Sequence, residues 1–108
     1  MLKKFFVILC LVTFCSSNLF SGNSSSVCHN GVVIGSVTAW AEEHYMKVFN
    51  DTREKTVAVT VKYEVLLSSG WTPKEKTITV APGKTEEFVH GYKKDAVRII
   101  SVENGTCR

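Results

Sequence analysis

Three histidines, two pairs of adjacent glutamates and four cysteines are the residues of this 108-residue chain that could carry chemistry. A zinc site needs His, Cys or carboxylate ligands at close, regular spacing. His29, His44 and His90 fall at no such spacing and no cysteine or carboxylate completes a pattern. They read as three separate surface or edge histidines, and no metal or other cofactor is expected. The paired acids are Glu42-Glu43 and Glu86-Glu87. General acid–base work needs two carboxyl groups converging on one reacting atom, whereas neighbours on a strand point to opposite faces. Both pairs therefore read as solvated charges. There is no Ser-His-Asp order with a nucleophile elbow, no phosphate loop and no nucleotide fingerprint. An enzyme is not expected; a catalytic role would require the fold to bring His44, Glu64 and His90 together.

The cysteines divide by context. Cys10 and Cys15 belong to an N-terminal segment in which Met1-Leu2-Lys3-Lys4 is a short positive start and Phe5 to Phe14 an apolar run. That is the form of an export signal, assigned to residues 1–22, with cleavage after Ser17 or Gly22. A membrane-spanning helix needs roughly 20 apolar residues, and Ser16, Ser17 and Asn18 interrupt the run too early. Bulky Leu9 and Phe14 precede the two cysteines where a lipid-attachment site needs a small residue. A secreted or periplasmic protein is expected. In an oxidising compartment the remaining pair, Cys28 and Cys107, reads as a disulfide closing nearly the whole domain. Such a loop is worth about 4 kcal/mol in the loop-entropy model. A domain of 86 residues (23–108) is marginal on its core alone, so the staple fits a need. The rival reading is a reactive thiol beside His29.

Removing residues 1–22 leaves 11 basic and 10 acidic side chains. A domain so nearly neutral lacks the electrostatic footprint that phosphate contacts require, which excludes charge-driven nucleic-acid binding. No stable membrane insertion is expected once the signal is gone. Recognition of a protein partner remains, and its candidates are the large aromatics Trp40, Tyr45, Trp71 and Tyr92. Trp71 and Tyr92 fall in segments read as loops, where big rings either pack locally or bind something. Asn23, Asn50 and Asn104 each begin an Asn-x-Ser/Thr triplet, a glycan acceptor in a eukaryotic host and a polar turn in a bacterium.

The elements that must position these residues are strands. Residues 23–108 hold 13 valines, four isoleucines and nine threonines against two leucines, and β-branched side chains favour a pleated surface over a helix. After a polar linker over residues 17–26, the domain's apolar pattern begins near Val27. Thr56 to Leu67 alternates with a two-residue period, the mark of a strand with one buried face. Lys76 to Val80 alternates again, with Ile78 and Val80 inward. Ala81-Pro82-Gly83-Lys84 is a tight turn, because Pro presets φ and Gly supplies the positive φ of a type II turn. Thr85 to His90 and Ala96 to Val102 follow as strands, the last apolar on both faces and so expected at the centre of a sheet.

Upstream, Val32 to Val37 reads as a strand, and two readings compete beyond it. Val37, Trp40, Ala41, His44, Tyr45, Val48 and Phe49 match a helical stripe, which gives a short helix at about 38–49. The preferred reading is a strand from His44, with Tyr45, Lys47 and Phe49 on one face, turning through Asn50-Asp51-Thr52-Arg53 into Thr56 as a hairpin. The sum is a single all-β domain over residues 23–108, a small six-stranded, immunoglobulin-like sandwich or barrel with one terminal disulfide.

Thr56-Val57-Ala58-Val59-Thr60-Val61-Lys62-Tyr63-Glu64, Thr79-Val80-Ala81-Pro82-Gly83-Lys84-Thr85, Gly91-Tyr92, Ala96-Val97-Arg98 and Cys107 together resemble the small secreted α-amylase inhibitors of the tendamistat type. The resemblance covers residues 56–107, with a longer insertion at Leu66 to Lys76, and implies a six-stranded sandwich that inhibits a glycoside hydrolase. In that family a Trp-Arg-Tyr triplet at the first hairpin turn meets the carboxylates of the amylase site. The corresponding stretch here is Trp40-Ala41-Glu42-Glu43-His44-Tyr45, with both aromatics, no arginine and two acids that an acidic cleft would repel. Arg53 and Thr77 stand where the family's further cysteines would be. The function expected is thus a secreted β-sandwich binding protein, an inhibitor of a secreted hydrolase such as an α-amylase in its sharper form. The alternative is a structural or cell-surface interaction protein with no enzyme target.

Overall fold

The computed structural model describes residues 23–107; the export signal assigned to residues 1–22 lies outside them. Seven strands build the domain: β1 (Asn23–His29), β2 (Val32–Ala41), β3 (Tyr45–Asp51), β4 (Val57–Leu67), β5 (Gly70–Val80), β6 (Thr85–Val89) and β7 (Val97–Glu103). A 3-10 turn at Lys94–Ala96 leads into β7. All pairings are antiparallel, in one sheet ordered β1-β2-β3-β6 and a second ordered β5-β4-β7. The expected all-β sandwich is the fold, with seven strands in place of the six expected. Immunoglobulin domains place their first, second, fifth and fourth strands in one sheet, so the likeness to them is in the two-layer architecture and not in strand order.

The alternation in Val57 to Leu67 works as read. Val57, Val59, Val61, Tyr63 and Val65 point between the sheets and meet Val37, Ala39, Ala41, Met46, Val48 and Phe88 from the other layer. Burying one valine fully is worth roughly 1.5–3 kcal/mol, so β4, central in its sheet, contributes more to the core than any other strand.

Several sequence expectations are corrected. The polar run Asn23–Ser26 is the first half of β1, not linker, because its backbone pairs with Ser36–Ala39 of β2. The segment 38–49 is not a helix. It is the β2–β3 hairpin, turning at Glu42-Glu43-His44, where His44 takes a left-handed φ of 68° that no α-helix contains. Asn50 to Arg53 is not a hairpin turn: β3 and β4 belong to different sheets, and this segment carries the chain from one layer to the other. The 81–84 segment crosses back. Its turn is closed by Lys84 N donating to Ala81 O at 3.1 Å, with Gly83 at φ 72° as a type II turn requires. The stretch read as an insertion at Leu66 to Lys76 is mostly β5, which holds Pro73 without breaking because it is an edge strand.

β7 is an edge strand too, not a central one. Lys62 pairs with Ser101 and Tyr63 with Ile99, so Ile100 is an extra residue that bulges. The bulge flips the alternation, which is why Val97 and Val102 are both buried although their spacing would put them on opposite faces.

The Cys28–Cys107 disulfide is present. It holds the C-terminal segment along β1, where Cys28 N donates to Thr106 Oγ1 at 2.8 Å and Asn104 Nδ2 donates to Ser25 Oγ and Ser26 O. Both sheet-crossing segments meet at Asn50. Its Nδ2 donates to Lys55 O and Val80 O, each at 2.8 Å, while its Oδ1 accepts from Thr52 Oγ1. Its backbone bonds to Gly83 and Lys84.

Candidate functional site

In β3 the inward residues are Met46, Val48 and Asn50, so Tyr45, Lys47 and Phe49 face out from the four-stranded sheet. The register sets Trp40 of β2 opposite Lys47, and Lys47 opposite Glu87 of β6. Trp40 is thus diagonal to both Tyr45 and Phe49, within reach for large side chains on one sheet face. Tyr45 and Phe49 stand about 13 Å apart along the strand. Tyr45 is 41% exposed; Trp40 and Phe49 are half-buried. Thr38 and Thr85 flank Phe49, and Val89 lies beside Tyr45. The Lys47–Glu87 pair, 4.0 Å apart and exposed, contributes little to stability.

The hairpin turn at the end of this face is held firmly. Trp40 Nε1 donates to Glu42 Oε2 at 2.9 Å, and Lys94 N donates to Glu43 Oε2 at 2.6 Å. Both acids of the turn thus have partners within the domain. His90 lies beneath the turn and is buried, which corrects its reading as a surface or edge histidine. Its Nδ1 accepts from Tyr92 N at 3.0 Å, so its Nε2 carries the proton and donates to Glu42 O at 2.8 Å. His44 O in turn accepts from His90 N and Gly91 N. Tyr92 does sit in a loop, as expected, but packs on the core, its ring stacked 6.3 Å from His90. Burial pushes the Tyr63 phenol upward, and nearby Tyr92 adds to the rise.

The remaining candidates separate. Trp71 is in β5, not a loop, on the outer face of the other sheet. Arg98 lies over its ring at 4.1 Å and pairs with Glu64 at 2.7 Å. Trp40 and Tyr45 therefore share one surface, while Trp71 occupies the opposite one, as does Glu64, far from a grouping with His44 and His90. Among the described residues no set of three or more His, Cys, Asp or Glu side chains is placed to hold a metal ion. Asn23 and Asn104 are partly exposed, though Asn104 spends its amide on Ser25 and Ser26; Asn50 is fully buried with its amide committed to Lys55 and Val80. A glycan on Asn50 is incompatible with this packing. The recognition reading missed Phe49; the alternation Tyr45-Lys47-Phe49 was the signal that could have added it. No protein-family model, curated protein or solved structure matches the chain.

Proposed function

We propose that this is an exported binding module that takes hold of a protein partner through the outer face of the β1-β2-β3-β6 sheet. The observation that carries this reading is the placement of Trp40, Tyr45 and Phe49 together on the wet side of a sandwich, where fold stability asks only for polar residues. Large aromatics held in fixed positions make effective interface anchors, since they bury much area at small entropic cost. The Glu42 carboxylate fixes the Trp40 indole before any partner arrives, which lowers the ordering cost of binding.

The resemblance to secreted α-amylase inhibitors makes a secreted glycoside hydrolase the first partner to test. The turn offers no arginine, so inhibition of that kind would work by covering the enzyme's cleft and not by charge pairing within it. The test is binding and inhibition against a panel of secreted α-amylases, with the wild-type domain and W40A/Y45A. Binding in the micromolar range or tighter, weakened at least tenfold by W40A/Y45A, is expected; each anchor is worth about 2 kcal/mol. Absence of binding at micromolar protein would overturn the hydrolase reading. A partner whose affinity is indifferent to W40A/Y45A would overturn the assignment of the face.

Three of the four sheet edges weigh against the alternative, a structural protein assembling by strand pairing. β5 carries Pro73, Lys74, Glu75 and Lys76, β6 is five residues long with Glu86 and Glu87, and the C-terminal segment lies along β1. These are devices that discourage edge-to-edge association.

A further inference from the structure

β1 and β2 are joined by Asn30-Gly31, both at positive φ (54° and 78°), the two-residue turn that suits a twisted hairpin. β3 pairs with β2 only from Ser36 onward, so the hairpin runs on past β3 as a two-stranded ribbon whose base is tied to the C-terminal segment by Cys28–Cys107. Its tip is aliphatic. Val32 is 62% exposed, Val33 61% and Ile34 37%. Val32 and Val33 are successive strand residues and face opposite ways, so apolar side chains are wet on both faces of the ribbon. A peptide added along one edge would leave both of those faces in water. Pairing with a second copy over Val32–Ile34 would involve three residues, far short of the area of a stable dimer. An occupant that surrounds the tip accounts for both faces.

Beside the tip, His29 and Ile34 share an open recess of about 860 Å³ with Arg53, Glu54, Lys55 and Thr56. Lys84 is at the same end, its carbonyl accepting from Asn50 N. Glu54 is the acid lining that recess, so Arg53 and Lys55 leave its wall with an excess of one positive charge. An apolar tip backed by cations matches the acyl boundary and headgroups of an anionic lipid surface. We propose that the Val32-Val33-Ile34 tip inserts shallowly and reversibly into anionic lipid surfaces, at a site separate from the aromatic face.

The experiment is co-sedimentation of the mature domain with phosphatidylcholine vesicles with and without phosphatidylglycerol. Binding to the anionic vesicles is expected to fall about tenfold or more in V32S/V33S, since that double change removes two inserting side chains. It should fall about fivefold for each of R53Q and K55Q, the worth of one cation near a charged surface. W40A/Y45A should bind vesicles like the wild type. All these positions are solvent-facing or half-buried, and circular dichroism checks that each variant is folded. No binding to anionic vesicles, binding unchanged in V32S/V33S, or binding abolished by W40A/Y45A overturns the proposal. Capture of the tip by a protein, with no vesicle binding, does the same.

Discussion

Asn50→Asp isolates the polar knot at which the chain passes between the layers. The substitution keeps the shape of the side chain and replaces its two-hydrogen donor by an acceptor. In the native domain that donor serves Lys55 O and Val80 O, each at 2.8 Å, in a site with no exposure. Lys55 O can take over the single hydroxyl hydrogen of Thr52 at 3.0 Å, at the expense of the bond to position 50, so the loss falls mainly on Val80 O. Stranding one buried carbonyl costs about 1–3 kcal/mol, and an uncompensated buried charge about 3–5 kcal/mol. The expected loss at pH 7 is thus at least about 4 kcal/mol, a large share of the stability of a small domain, which lies at about 5–15 kcal/mol. The new carboxyl has its pKa raised in the folded state, because burial and two facing carbonyls disfavour its charged form. Its penalty is therefore small below the unfolded value of about 3.9 and grows as pH rises above it. Urea unfolding followed by tryptophan fluorescence, for wild type and N50D at pH 7 and near pH 4, measures both effects. A cost under about 1 kcal/mol at pH 7, or one that does not shrink on acidification, would refute the account of Asn50 as the donor that ties the layers.

Three further outcomes are expected. Gly35→Ala places a Cβ 2.0 Å from Asp51 O and 2.9 Å from Thr52 Cγ2, so the β2–β3 backbone must shift; a loss of about 2–3 kcal/mol in urea unfolding is expected. Removing the disulfide in C28A/C107A frees a loop with a sequence separation of 79 and should lower stability by about 4 kcal/mol, read as a fall in the unfolding midpoint. The raised Tyr63 phenol favours the fold while the unfolded chain keeps the same proton, so this contribution is intact below about pH 10 and lost as pH climbs above it. Y63F should unfold less steeply with pH between 10 and 12, as roughly set by that same reference value, followed by circular dichroism.

The legible parts of the fold were those in which one residue's environment is decided by its immediate neighbours. The two-period alternation of Val57 to Leu67, the Pro82-Gly83 turn and the paired cysteines each carry their own local reason. The misread parts depended on distant segments. Asn50-Asp51-Thr52-Arg53 has hairpin composition, yet Asn50 spends its side chain on Lys55 and Val80, and Val80 is 30 positions away. Ile100 looked like one member of a two-faced central strand; it is a bulge that only the register against Lys62 and Tyr63 reveals. The Asn30-Gly31 signal was present in the sequence and unused, and with it the first strand and the aliphatic tip.

For the candidate face, the sequence named Trp40 and Tyr45 but not Phe49. Trp40 and Tyr45 share a face because the β2–β3 register sets them diagonally, and the same register adds Phe49. Trp71 is excluded because β5 belongs to the other sheet, a fact no local pattern encodes. The strand-rich class, the near-neutral charge of residues 23–108 and the pairing of Cys28 with Cys107 follow from side-chain types alone, since propensity, charge and redox chemistry are properties of single residues. Which strands share a layer, which aromatics share a surface and which asparagine is sealed from solvent were decided by tertiary structure, because each depends on contacts between segments far apart in the chain.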